Sequence, residues 1–487
     1  MSTVNNAKWS FLNGVGMQMI ALVTNVVLAR LLYPEIFGLL GMATVLLGLL
    51  LIFQGAGVSS YIIYDQECSK EEVVTSFWLN IIISTLIATL LIICSPLICN
   101  FYNDERLQPI LIITAVGLFF GSFGITGRAL FTRDGHFKKL TIIDFIAELI
   151  ASSVAIGAAL YHHETFAITS RLLIKPIIQS AALVFLTHKG SVGLPQFKNV
   201  RKILPYGTKI LGSQVFIYSN NNLDYLLIGR FLGSRELGIY TMAYQWSMIA
   251  RIYIGGAINR VAFPLISKQE GNLISIKKIY TNMITKVAMV TFPICFGLMA
   301  ISNEFVNLLY GDKWSEAVPV LSILLFVGAI TSVVTVGGSV FNGLGKPDID
   351  MKINMASFIG AVIIFLLSWR YGIIGIAVGV LIKCIVFDSF KLLWVSKLLK
   401  MKVKELAQMF IKALLPSLIM LLCLLATKKV ITVLPGSLLM IILIIEGIII
   451  YSISSYYLNR DNYMWLINKL ASKAPFKTKI KIREQGL

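Results

Sequence analysis

Stretches of about 20 predominantly apolar residues recur along the whole chain, separated by short polar turns, and away from water such a stretch satisfies its backbone only as a helix. Fourteen spans are predicted, at 9–31, 37–61, 77–99, 107–130, 140–161, 165–187, 203–229, 236–262, 280–302, 317–344, 350–369, 372–398, 406–427 and 434–458. Two of them, 203–229 and 317–344, are interrupted by Asn, Gly or Thr clusters. The polar start from Met1 to Lys8 leads into a full-length span with no small-residue cleavage pattern, so the first helix is expected to be retained. The pattern predicts an all-α, multi-pass membrane protein.

Composition agrees, with 57% hydrophobic and only 14% charged residues. The charges are asymmetric. Lys8, Lys70, the segments 128–139, 189–209, 260–278, 346–352 and 397–404, and the tail from Arg460 fall on one side. The other side holds only Arg30, Arg106, Arg230, Arg235, Lys313, Arg370, Lys428 and Lys429, so both termini are expected in the cytoplasm. The net charge of +19 therefore points to anionic lipid headgroups rather than to nucleic acid.

Reaction chemistry is not visible in the sequence. The six cysteines make no CxxC pair. Gly345-Lys346 lacks the first Gly and the Ser or Thr of a phosphate loop, there is no HExxH, and His162-His163-Glu164 reads as a solvated turn rather than a metal site. The longest non-cytoplasmic loop, near 303–316, is too short to hold a catalytic domain. The chain is expected to be no enzyme and to use no cofactor.

The chain repeats itself. "VLARLLYPEIFGLLGMA" at 27–43 returns as "LIGRFLGSRELGIYTMA" at 227–243, matching Arg30 to Arg230 and Gly38 to Gly238 across two equivalent turns. "RLLIKPIIQSAALVFLTHK" at 171–189 aligns with "GVLIKCIVFDSFKLLWVSK" at 379–397, and Gly127, Phe131 and Gly135 align with Gly337, Phe341 and Gly345. Three matches in the same order predict two parallel six-helix lobes, an architecture of alternating-access transporters. The domains are then an N-lobe at 1–190, a cytoplasmic linker at 191–202, a C-lobe at 203–400, two further spans within 401–458 and a basic tail at 459–487.

The run "NNNLDYLLIGRFLGSRELGIYTMAYQWSMI" from residue 220, with "GGAINRVAFPLIS" after it, resembles the seventh and eighth helices of Wzx-type flippases, in the branch of the colanic acid exporter. "ARLLYPEIFGLLGMATVLLGLLLIFQGAGVSSYII", "TSFWLN" and "GDKWSEAVPVLSIL" resemble the same group. The resemblance implies a MATE-like fold of the multidrug/oligosaccharidyl-lipid/polysaccharide superfamily. It also implies transfer of an undecaprenyl-pyrophosphate-linked oligosaccharide between leaflets of a bacterial cytoplasmic membrane, with polysaccharide polymerase and chain-length proteins as candidate partners. A drug or cation antiporter on the same fold is the alternative, and a membrane-embedded polymerase or ligase a second.

A pyrophosphate headgroup needs cations and hydrogen-bonding groups within the membrane, where ionisable residues mark pathways. Lys175 and Lys383 occupy equivalent places in spans six and twelve, and Arg171 is one turn from Lys175. Two cations so placed need an anion, which is either substrate phosphate or Glu148 of span five. Arg251 of span eight, Gln54, Asn25 and Asn221 with its neighbours Asn220 and Asn222 complete the expected substrate lining. In the resembled fold, spans one, two, seven and eight border the central cavity. Asp224, Glu148 and Asp144 are candidates for coupling to a proton or sodium gradient. Arg30 and Arg230, at helix ends, are expected to snorkel.

Overall fold

The apolar runs fold as helices and the polar turns between them act as caps. A computed structural model describes residues 3–55, 58–65, 68–187, 193, 195–269, 271–431 and 434–471. Twenty α-helices lie among them: α1 Thr3–Leu31, α2 Pro34–Gly55, α3 Val58–Tyr64, α4 Lys70–Tyr102, α5 Leu107–Arg133, α6 Phe137–Leu160, α7 Glu164–Thr187, α8 Phe197–Phe231, α9 Ser234–Ile249 and α10 Gly256–Ser267. The others are α11 Leu273–Ala300, α12 Ser302–Leu309, α13 Ala317–Val334, α14 Val336–Gly343, α15 Pro347–Ser368, α16 Gly372–Lys383, α17 Ser389–Leu398, α18 Val403–Val430, α19 Gly436–Leu458 and α20 Arg460–Ala471. Local chemistry sets their ends. Ser69 caps α4 in a reciprocal box, its hydroxyl accepting from Glu72 N–H while the Glu72 carboxylate accepts from Ser69 N–H.

Eleven runs among the described residues are long and apolar enough to cross a membrane. One of these, Pro347–Leu398, contains two of the predicted spans, divided at the 3₁₀ turn Trp369–Tyr371 and Gly372, whose φ is 68°. The predicted spans at 203–229 and 236–262 are helical as α8, α9 and α10 but fall outside the eleven. Several single spans prove to be compound. The predicted 37–61 divides into α2 and α3, 317–344 breaks at Thr335, and π-helical turns interrupt 236–262 at Ala250–Gly255 and 372–398 at Cys384–Asp388. Apolar periodicity does not register the two π-helical turns, because the backbone widens there without a change in hydropathy; of the two spans expected to be interrupted by polar clusters, 317–344 breaks at Thr335 whereas 203–229 runs unbroken within α8.

By their contacts the residues form two units. The first comprises Met1–Trp246, Phe305–Leu324 and Met351–Phe387; the second comprises Ser247–Glu304, Leu325–Asp350 and Asp388–Leu487. In the first unit α5 lies along α7, α6 along α7 and α1 along α6. Gly117 brings α5 so close to α7 that a Cβ there would overlap the Leu172 carbonyl, which Pro176 leaves without its usual helical donor.

The first repeat meets itself within this unit. A Cβ at Gly38 of α2 would overlap the Ser234 carbonyl of α9, and a Cβ at Gly238 of α9 would overlap the Pro34 carbonyl of α2. The two helix starts thus cross reciprocally through their glycines. Arg30 donates to the carbonyls of Leu308 and Leu309 at the end of α12, and Arg230 donates to the Phe101 carbonyl near the end of α4. Both repeat arginines, expected to snorkel, lie at the ends of their own helices and there cap another helix. Trp314 Nε1 closes the same end on the Ala29 carbonyl at 2.9 Å.

In the second unit α11 packs on α18 and α18 on α19, and Tyr451 Oη donates to the Met289 carbonyl at 2.7 Å. Its α20 follows α19 directly, and Lys286 of α11 stands 4.2 Å above the Trp465 ring.

Candidate functional site

The hairpin of α6 and α7 concentrates charge in the first unit. Residues four apart on a helix share a face, which gives α6 the pair Asp144 and Glu148 and α7 the pair Arg171 and Lys175. Glu148, with a side chain only 1% exposed, bridges both cations. Its Oε1 lies 2.5 Å from Arg171 Nη2 and its Oε2 2.7 Å from Lys175 Nζ. Arg171 Nη1 also donates to Asn25 Oδ1 at 2.7 Å, and Asn25 donates to Gln245 Oε1 at 3.3 Å. The charge cluster ties together α1, α6, α7 and α9.

The second carboxylate is fully engaged elsewhere. Asp144 receives Arg128 Nη2 at 2.5 Å and Nη1 at 3.1 Å, Gln179 at 2.8 Å and Asn13 at 2.9 Å. In the sequence Arg128 reads as one of the loop charges at 128–139, and nothing there singles out Gln179 or Asn13. A buried carboxylate in a membrane needs a donor set, so Asp144 itself was the signal that such partners exist.

Two cavities flank this cluster. One of about 310 Å³ is lined by Asn25, Glu148, Arg171, Lys175, Gln245 and Trp314, among others. The other, of about 540 Å³, lies among α2, α3, α5 and α7 and exposes Gln54, Arg128, Arg171, Lys175 and Gln179. Arg171 and Lys175 line both. Three cations therefore reach the larger cavity while the carboxylates that hold them sit behind on α6, and none of the described residues lining that cavity is Asp or Glu. The side chains of Arg128 and Lys175 remain 39% and 34% exposed, so their unused N–H groups are available to a guest. Such a wall is suited to an anion that accepts hydrogen bonds. Gln54 adds an amide, although its N–H groups are taken by Ser84 Oγ at 2.7 Å and the Leu118 carbonyl at 3.0 Å.

Residues 27–319 match the family described as "Polysaccharide biosynthesis protein". The chain belongs to that family. This polysaccharide biosynthesis protein is 28% identical over 387 residues to the lipopolysaccharide biosynthesis protein WzxC of Escherichia coli, covering 78% of each chain. Its fold resembles the lipid II flippase MurJ in an inward closed conformation, with a TM-score of 0.77 and 15% identity over 93% of this chain and 99% of that one. An inward-facing multidrug resistance MATE transporter of the MOP superfamily aligns with a TM-score of 0.62 and 17% identity, over 79% of this chain and 96% of that one. The all-helical, MATE-like fold that the resemblance implies is the one observed.

The remaining candidates of the polysaccharide biosynthesis protein lie apart from these cavities. Lys383 Nζ is 3.3 Å from both the Asn220 carbonyl and Asn220 Oδ1. Asp224 is buried nearby on α8, accepting from Tyr240 Oη at 2.5 Å and from Tyr225 N–H at 3.0 Å, with the Tyr225 ring edge-on to Tyr240 and Tyr244. Neither Lys383 nor Asp224 lines the cavities that Lys175 lines. Asn221 is exposed and Asn222 donates to the Tyr218 carbonyl. Arg251 belongs to the second unit, half-buried at the π-helical turn with Nη1 3.9 Å from Met248 Sδ. Lys391 reaches Asp350 at 2.6 Å. Among the described residues no three His, Cys, Asp or Glu side chains gather as metal ligands, and all six cysteines are free thiols.

At the turn end of the helices Asp104 joins Arg106, at 2.7 Å, and Ser234 Oγ, at 3.1 Å. Burial pushes this carboxyl up, but the Arg106 and Ser234 hydrogen bonds and the guanidinium charge outweigh it and hold the group below its ordinary value.

Proposed function

We propose that this protein is a flippase that moves an undecaprenyl-pyrophosphate-linked oligosaccharide, a repeat unit of O-antigen, capsule or exopolysaccharide, from the inner to the outer leaflet of the bacterial cytoplasmic membrane. The observation that carries this reading is the pair of cations, Arg171 and Lys175, that stands in the wall of two cavities at once. A phosphate in the larger cavity meets Arg128 and Lys175. From the smaller cavity the same Lys175 and Arg171 can hold it, so the anion need not leave its cations as access alternates. The family match and the likeness to WzxC and to MurJ support the same substrate class. A cationic drug would meet like charge on this wall, which disfavours the antiporter.

On this reading both termini are cytoplasmic, the Gly38–Gly238 crossing is at the outer face, and spans one to six and seven to twelve act as two lobes. The Asp224, Tyr240 and Lys383 group on α8, α9 and α16 is the place to seek coupling to a proton or sodium gradient, with no other cofactor. The Asn220–Asn222 run would line the path from the second half of the chain. Polymerase and chain-length proteins would take the product.

The test is in cells lacking any second flippase. Lys175→Gln and Arg128→Gln are expected to insert normally yet leave the lipid-linked repeat unit on the inner leaflet, measured by its accessibility to an externally added glycan-cleaving enzyme. Normal export by both variants would end the cationic-path reading.

A further inference from the structure

The way Glu148 is held points to a specific task. Its two oxygens bridge an arginine and a lysine one helical turn apart, at 2.5 and 2.7 Å, which is the arrangement that two phosphate oxygens would make with the same cations. Glu148 is 1% exposed, approaches from α6 and lines the smaller cavity but not the larger, whereas the cations are 19% and 34% exposed and line both. The cations can therefore be reached by a guest from the larger cavity, which the carboxylate does not line, before the carboxylate lets go of them.

We propose that Glu148 is a built-in counter-anion, a positioning residue that occupies the cation pair between turnovers and yields it to the substrate phosphate; the idea rests on the phosphate path given above. Every charged or polar group facing it fits this role. Arg171 and Lys175 come from α7, and Asn25 of α1 holds Arg171. Asp144, one turn away on α6, is already taken by Arg128, Gln179 and Asn13. Glu148 thus has one exchangeable pair of partners, and a multiply charged phosphate outcompetes a single carboxylate for them. Release is driven by the reverse exchange, in which the tethered carboxylate reclaims the cations at an effective concentration that no free anion matches. Without it a flippase that bound pyrophosphate with two cations inside the membrane would hold its product.

The role predicts an effect opposite to that of a structural ion pair. In full-length protein reconstituted in nanodiscs, binding of inorganic pyrophosphate is measured by calorimetry at fixed ionic strength. Glu148→Gln is expected to bind about tenfold tighter or more, because a negative charge is removed within a few ångströms of the guest at low effective dielectric. Glu148→Asp, too short to span both cations, keeps the charge and is expected to lie between, which serves if the Gln variant folds poorly. Pyrophosphate should also raise the melting temperature of Glu148→Gln more than that of wild type, while export falls in both variants. If Glu148→Gln and Glu148→Asp bind pyrophosphate no tighter than wild type while Lys175→Gln still abolishes binding, the counter-anion role is wrong and the phosphate path stands. If Lys175→Gln and Arg171→Gln bind as wild type does, both fail.

Discussion

Replacing Gly38 or Gly238 by Ala should force open the end of the cavity where the two repeats cross. The added methyl overlaps a backbone carbonyl, Ser234 for Gly38 and Pro34 for Gly238, and a carbonyl in a helix cannot rotate away as a side chain can. The strain is relieved only by parting α2 from α9. Over-packing of this kind costs about 1–3 kcal/mol. Set wholly against the closed arrangement, about 2 kcal/mol lowers its ratio to open forms by roughly thirtyfold. The double variant should fall well short of the sum, since one separation relieves both overlaps. The assay places a single cysteine at Thr241, which lines the 310 Å³ cavity just past the crossing, in a background free of native cysteines. Labelling of intact cells by a membrane-impermeant maleimide should accelerate at least tenfold in either alanine variant. Gly157→Ala is the control, since nothing lies within 4 Å of its added methyl. Equal labelling of Gly38→Ala, Gly238→Ala and Gly157→Ala would refute the reasoning.

Arg30→Gln and Arg230→Gln each uncap a helix end in the same region, and because both arginines are partly exposed the same labelling should rise less than for the glycine variants. Asp104 gives a pH signature: its carboxyl is held below the ordinary value, so its contribution is complete above that value and is lost as pH falls through the folded one. Labelling in wild type should therefore rise only in acid below the usual carboxylate range, whereas Asp104→Asn should label fast at neutral pH. Cys68, outside the spans, has its thiol pushed up to about 11 by burial and then by the Glu72 carboxylate. It should react slowly with maleimide at neutral pH and faster in Glu72→Gln, as followed by mass spectrometry.

Much of this protein can be read from its sequence because a bilayer leaves few choices. Depth and the repeat single out Lys175, and the four-residue spacing adds Arg171 and the need for an anion such as Glu148, since a helix fixes which side chains stack. Gly38 and Gly238 stand out in the sequence because the repeat doubles them, although only the fold shows that the two copies touch each other. Lys383 shows the limit of that logic. It is the repeat partner of Lys175 and equally deep, yet it binds Asn220 on α8 and lies outside the cavities that Lys175 lines. A repeat puts two residues on equivalent helices and leaves their partners open: Lys175 meets Glu148 of α6, whereas Lys383 meets Asn220 of α8, on the helix that the repeat pairs with α1.

Arg128 was missed for the converse reason. Positions 128–139 read as one cytoplasmic charge cluster, but α5 continues to Arg133 and carries Arg128 back into the helical bundle, where Asp144 meets it across the turn. Counting charges by loop hides those in the last turns of a helix. Counting by partner recovers them: Asp144 and Glu148 are two buried carboxylates, and three cations, Arg128, Arg171 and Lys175, are held on them. The surplus of one positive charge is the economical solution for a site that must be stable when empty and still attract an anion. A neutral cluster would have no field to offer, and three unpaired cations would not remain buried.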